Sequence, residues 1–302
     1  MPMNIAETYA QKKLQAKCDF FVESQLWPLE QNLNHQGWLN NFLPEERRFA
    51  ECLLDSFLFF SSSLTGTLFR AAFRQLARHV IAFDADATTA TNLWSRFTDS
   101  LYLTYVTGEL PSPTDSGHLF TRHARQILGI SESNILSPDQ TLEALSSDAS
   151  TPVVFVDDFV GSGNQFVDTW NRIYDFPGGR SDSFSSLFQR QKFSVFYCPV
   201  LCTSLGRDRI TKEAPEVKLS PAHFLDSSYS VFSPDTTIWP DHLRPTANAF
   251  LQSASSRAGI TRNWKGFCDQ GLLVSFSHCV PDATIPLIDH KSDNWTPLIN
   301  IQ

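Results

Sequence analysis

Between residues 153 and 165 the chain reads Val-Val-Phe-Val-Asp-Asp-Phe-Val-Gly-Ser-Gly-Asn-Gln, and few folds accommodate that order. Residues 153–156 have no polar face, which suits a strand covered on both sides, as in a parallel sheet between helices. Asp157 and Asp158 then fall at the carboxyl end of the predicted strand. In open α/β sheets the ligand crevice lies outside those ends, so carboxylates there face sugar hydroxyls or a hydrated cation. Gly161-Ser162-Gly163 permits a turn whose backbone N–H groups converge where a helix from Asn164 would begin, a geometry that binds phosphate. Phe159, Val160, Asn164 and Gln165 complete the candidate lining. In a plainer alternative the acids merely end a strand and Ser162 caps the helix.

The rest of the chain predicts a mostly parallel α/β sheet flanked by helices, with a helical region over 1–98 packed on the α/β part over 99–302 as one integrated domain. Pro44-Glu45-Glu46 opens a helix with proline and acids in its first turn, and a second helix covers 65–79. On that second helix Arg70, Arg74 and Arg78 step by four, which predicts a solvated face or, alternatively, a surface for an RNA or protein partner. Residues 101–106 predict a strand. The polar stretch 107–117 then leads into a helix over 118–128, with Arg122 and Arg125 on it. Residues 175–191, rich in serine and containing Gly178-Gly179, predict a mobile loop or an insertion. Strands are expected over 193–202 and 217–225, a helix over 240–258, and a last buried strand over 271–278. His278 ends that strand, within reach of a ligand or as a structural histidine.

Composition narrows the class. With 25 Phe and 7 Trp the core is rich in rings, and the net charge of −8 disfavours non-specific attraction of the whole chain to nucleic acid. Six scattered cysteines, without a charged and apolar leader at the start, predict reduced thiols in the cytosol. Cys198 and Cys202 are expected to share one face of a strand as small hydrophobes. No apolar stretch is long enough to cross a bilayer.

Residues 153–165 resemble the phosphoribosyl-diphosphate (PRPP) signature of type I phosphoribosyltransferases, with four apolar residues, two acids and a small-residue phosphate loop. Phe159, Gly161 and Gln165 depart from it, Gln165 standing where a hydroxyl residue is usual. The resemblance implies a phosphoribosyltransferase-like fold, PRPP or a nucleotide as ligand, and Mg²⁺ carried with the diphosphate. Asp157 and Asp158 would hold the ribose hydroxyls or the metal, and residues 161–165 the 5′-phosphate. In that family a loop after an earlier strand holds pyrophosphate, a role that falls here on Asp115, Ser116 and Gly117, with Arg122 nearby; a plain helix cap is the alternative.

The wider layout is similar to phosphoribosyltransferase-like proteins of bacterial conflict systems, including those encoded beside retron reverse transcriptases. Pro44-Glu45-Glu46-Arg47-Arg48-Phe49, Ser112 to His118, the acid-pair signature, Gly266-Phe267 with 271–286, and Asn294-Trp295-Thr296-Pro297-Leu298 carry that likeness. It implies an antiviral effector that transfers ribosyl groups or cleaves an N-glycosidic bond. The alternative is a non-catalytic PRPP or nucleotide sensor partnered with a reverse transcriptase and its noncoding RNA or DNA, as a monomer or an oligomer.

Overall fold

The computed structural model describes residues 5–29, 31–108, 116–148, 150–177 and 179–301. It divides into two compact units, one formed by Met1–Leu64 with Asp226–Gln302 and the other by Thr65–Leu225. The divisions therefore fall at Leu64 and Leu225 rather than near residue 98.

The first unit begins with helices α1 (Ile5–Glu23), α2 (His35–Leu39) and α3 (Arg47–Asp55), then strand β1 (Leu58–Phe60). Pro44–Glu46 forms a tight 3-10 turn before α3, as proline and acids at a helix start favour. Helix α4 (Ser62–Arg74) leads into the second unit, followed by α5 (Ala77–Val80) and α6 (Ala87–Ser100). Strand β2 (Tyr102–Tyr105), helix α7 (Ser116–His123), helix α8 (Pro138–Ser147), strand β3 (Val153–Val160) and helix α9 (Asn164–Asn171) come next. A hairpin of β4 (Tyr174–Phe176) and β5 (Arg180–Asp182) precedes α10 (Phe184–Arg190), β6 (Val195–Thr203) and α11 (Ser204–Glu213). The short strands β7 (Lys218–Leu219) and β8 (His223–Leu225) close that unit, and α12 (Arg244–Arg257) and β9 (Val274–Phe276) belong to the first again.

The main sheet lies in the second unit, ordered β2-β3-β6-β7 with β8 also on β6, and every pair is parallel. The edge strand expected over 217–225 is split in two at Pro221, which has no N–H to offer the ladder. One face carries an aromatic layer. Phe155 meets Phe184 at 4.9 Å, Phe166 stacks on Tyr197 at 4.3 Å, and Trp170 stacks on Phe184 at 6.0 Å. Toward α4 and α6, Phe97 packs edge-on to Phe196 at 5.5 Å, and Cys198 Sγ approaches the Ala72 carbonyl.

Three expectations are corrected here. Residues 175–191 form the β4–β5 hairpin and α10 instead of a loop, because Phe176, Phe184 and Leu187 are buried in the aromatic layer and Ser183 caps α10 through the Ser186 N–H at 3.1 Å. The last buried strand is only Val274–Phe276, and it pairs with Leu58–Phe60 in a separate two-stranded sheet of the first unit. Cys198 and Cys202 are both buried but meet different layers, since Cys202 joins the aromatic cluster and Cys198 faces Ala72. Burial pushes the Cys18 and Cys52 thiols up to about 11 and Cys202 to about 12, so these are packing groups at neutral pH.

The first unit has its own core, in which α3, α12 and the closing segment meet. Trp38 and Trp295 both donate their indole N–H to the Leu287 carbonyl, at 2.7 and 3.2 Å. Phe49 stacks on Phe250 at 4.7 Å, and Arg257 pairs with Glu46. Among the described residues no helix is long and apolar enough to cross a membrane.

Candidate functional site

The acids lie inside the strand, not beyond it. β3 runs on to Val160 because β6 keeps pairing with it through Val160↔Cys202, whereas β2 pairs only as far as Val156. The carboxyl-terminal half of β3 is thus laddered to β6 alone among the described residues.

Asp157 is 3% exposed and Asp158 6%. The Tyr197 hydroxyl donates to Asp157 Oδ2 and the Asp158 N–H to Asp157 Oδ1, both at 3.0 Å. Burial first, then the charge and hydrogen bonding of the Asp158 carboxyl, hold Asp157 well above the usual carboxylate range. The Tyr197 hydroxyl is pushed up as well, mainly by burial, and remains a donor. Consecutive side chains of a regular strand point to opposite faces, yet these two carboxyl groups interact. The alternation changes phase at this level: the aromatic cluster takes Val153 and Phe155, then Val160, on β3, and Val195 and Tyr197, then Cys202, on β6. Pro199, which cannot donate to the ladder, stands opposite Asp157.

The turn after the strand is braced from behind. Gly163 has φ of 80° and serves as the N-cap of α9, and a Cβ there would come within 2.9 Å of the Gly206 carbonyl oxygen. Gly206 in turn allows α11 to close on the turn, since a Cβ on it would lie 2.6 Å from Val160 Cγ1 and 2.8 Å from the Gly161 oxygen. Thr203 completes the brace by donating to the Gly161 carbonyl at 2.5 Å and accepting from the Gly206 N–H at 3.1 Å. In front, Ser162 Oγ accepts the Asn164 N–H at 3.3 Å and nothing else among the described residues. The N–H groups of Gln165 and Phe166 have no acceptor among the described residues, as the first turn of a helix dictates. Asn164 Oδ1 is buried without a partner. Such a turn is ready for an anion with additional donor groups.

A second set of hydrogen bonds ties α9 to the segment after β2. The Thr107 N–H donates to Thr169 Oγ1 at 3.1 Å, and Arg172 donates to the Gly108 carbonyl at 2.8 Å and to the Thr107 hydroxyl. At the other end of that loop, Gly117 sits where a Cβ would be 2.7 Å from Tyr105 Cβ, so α7 starts hard against the end of β2. Asp115 lies outside the described residues, and only the backbone of Ser116 is described, at the start of α7. Arg122 lines a pocket with Thr121, Arg125, Glu132 and Ile135. His278 follows β9 in the first unit.

Tyr197, Thr203, Gly206, Thr169 and Arg172 escape a reading of local motifs. Thr203-Ser-Leu-Gly206, a hydroxyl cap and a glycine in the first turn of a helix, is the one signal present in the sequence.

A sequence model of the PRTase-CE family matches residues 35–300. The chain belongs to the PRTase-CE family. PRTase-CE proteins are phosphoribosyltransferase-like and associated with conflict systems. The parallel sheet flanked by helices is consistent with that fold. No curated protein matches the chain. Among solved structures, the AQ2163 protein from Aquifex aeolicus is similar at 12% identity and a TM-score of 0.32, over 64% of this chain and 84% of that one.

Proposed function

We propose that the end of β3 and the turn into α9 bind the ribose phosphate of PRPP or a nucleotide, and that the protein transfers the ribosyl group or cleaves an N-glycosidic bond as an antiviral effector. The observation that carries this is the braced turn: free N–H groups at 165 and 166 sit directly after a buried pair of interacting carboxyls. The 5′-phosphate takes the N–H groups of the turn, and Ser162 and Asn164 contribute side-chain contacts. Asp158 and Asp157 hold the ribose hydroxyls. As the bond to C1 breaks the sugar becomes cationic, and negative charge on the carboxyls, fixed in place before the reaction, stabilises it.

The donor set also fits magnesium. Two hard carboxyl groups held together in a buried site, with Asp157 raised by burial and by the Asp158 charge, suit a divalent cation that offsets their repulsion. Asp157 and Asp158 would hold the ion, which when bound supplies charge neutralisation for a diphosphate leaving group. Asp115 to Gly117, in the loop whose ends are pinned at Thr107 and Gly117, are the proposed pyrophosphate contacts.

A second reading keeps the pocket without the reaction: a PRPP or nucleotide sensor that governs assembly with a reverse transcriptase and its noncoding nucleic acid. Half-buried Phe159 and the Gln165 side chain in place of a hydroxyl favour it. The discriminating experiment compares wild type with D157N/D158N, measuring PRPP and nucleotide binding with and without Mg²⁺ by calorimetry and release of base or pyrophosphate by chromatography. Turnover that disappears in the double variant supports the enzyme. Binding without turnover supports the sensor, and no binding of either ligand class removes both readings.

A further inference from the structure

Within Thr65–Leu225 there is a second cavity, of about 310 Å³, that shares no residue with the β3–α9 turn. Arg70, Phe73 and Arg74 of α4 form one wall, Trp94 and Asp99 of α6 another, and residues 127–131 the third. The third wall is unusual in its backbone. The helix that begins as α7 widens into a π turn over Ala124–Leu128 and stops at Gly129, which has φ of 73°. Widened turns of this kind free carbonyl groups from regular pairing and recur at binding sites.

Arg70 and Arg74 are exposed and one turn apart, and neither forms an ion pair among the described residues. Asp99 lines the same cavity without pairing to either arginine. Neutralising the end of α4 accounts for a cation at Arg74. It does not account for a concave site that adds a second guanidinium, a half-buried indole and carbonyl acceptors in a chain of net charge −8. Paired guanidiniums bind phosphate bidentately. An indole wall accepts a planar ring, and carbonyl groups with Asp99 accept from exocyclic amines or ribose hydroxyls. The volume is in the range of small-ligand pockets, and walls on three sides suit one nucleotide rather than a continuous strand.

We propose that this cavity is a second nucleotide site that takes a 5′-mononucleotide. It stands independently of the reading of the β3–α9 turn. The test is calorimetric titration of the full chain with AMP, GMP, CMP, UMP and inorganic phosphate, using wild type, R70Q/R74Q, W94L and D158N, with melting curves to verify folding. Because both arginines are exposed, R70Q/R74Q is expected to melt like wild type. At least one mononucleotide should bind saturably to wild type and to D158N, and more tightly than phosphate. R70Q/R74Q should weaken it by roughly tenfold or more per arginine, and W94L by about tenfold. The proposal is overturned if no mononucleotide binds, if binding survives R70Q/R74Q, if D158N abolishes it, or if phosphate alone or a single-stranded oligonucleotide binds more tightly through the same arginines.

Discussion

Three glycine-to-alanine changes in the second unit separate the forces that shape the β3–α9 turn. Gly129 has φ of 73° and nothing within 4 Å of a would-be Cβ, so Gly129→Ala carries only the left-handed backbone penalty, about 1–2 kcal/mol. Gly206 is the opposite case. It lies within α11, where alanine is favoured over glycine by up to ~1 kcal/mol. Its Cβ would nevertheless meet Val160 Cγ1 at 2.6 Å and the Gly161 oxygen at 2.8 Å. Overpacking of that kind costs ~1–3 kcal/mol, and one obstacle is backbone that cannot rotate away, so the net sign is destabilising, by about 1–2 kcal/mol. Gly163 combines both penalties, with φ of 80° and the Gly206 oxygen at 2.9 Å, for about 2–5 kcal/mol. Urea unfolding followed by tryptophan fluorescence measures stability, and calorimetry with PRPP measures the turn. The expected order of destabilisation places Gly163→Ala first, and both changes weaken PRPP, Gly163→Ala because the turn must part from Gly206 and Gly206→Ala because Gly161 must move. Gly129→Ala lowers stability without affecting PRPP. A Gly206→Ala protein as stable as wild type with unchanged PRPP affinity would refute the brace.

Two further outcomes follow from the buried groups. Asp157 has its folded pKa raised above the unfolded value, so its contribution is fully present below about pH 4 and is lost as pH rises toward the folded pKa. Wild-type stability should fall over that rise by about 1.4 kcal/mol for each unit of separation. D157N, which cannot ionise, should show a flatter profile and gain on wild type with increasing pH; parallel melting profiles between pH 4 and 8.5 would contradict the assignment. Arg172→Met removes the donors to Gly108 and Thr107. It should cost about 1.5–3 kcal/mol in urea unfolding and lower PRPP affinity by loosening the loop after β2, whereas unchanged affinity would show that this anchor does not serve the site.

The strand, the acid pair and the turn were legible because each is a local pattern: apolar on both faces, then charge, then glycines. What was not legible depends on partners distant in sequence. Residues 153–156 alone suggest a strand that ends at the acids, and only the reach of β6 to Thr203 shows that it continues to Val160. Leu58 reads as the end of the helix that Pro44 opens until Val274–Phe276 is placed beside Leu58–Phe60. The serines of 175–191 masked Phe184 and Leu187, whose helical spacing was present but whose value came from burial against Phe155 and Trp170. Thr203 and Gly206 belong to another helix, and nothing in their own neighbourhood points to Gly161.

A strand that continues to Val160 changes what the acids have to overcome. Beyond a strand, two aspartates can turn toward one ligand freely. Within a strand they point apart unless the pleat is disturbed. Here the alternation changes phase between Phe155 and Val160 on β3 and between Tyr197 and Cys202 on β6, with Pro199 opposite Asp157. That disturbance lets the carboxyls meet, and burial then makes their joint ionisation unfavourable. A pair held in this state favours whatever offsets its charge, whether a cation or the hydroxyls of a sugar, while Tyr197 keeps Asp157 fixed at 3.0 Å. The two acids are therefore unequal. Asp157 is anchored to the core, and Asp158 is the carboxyl whose removal should most directly reduce ligand binding.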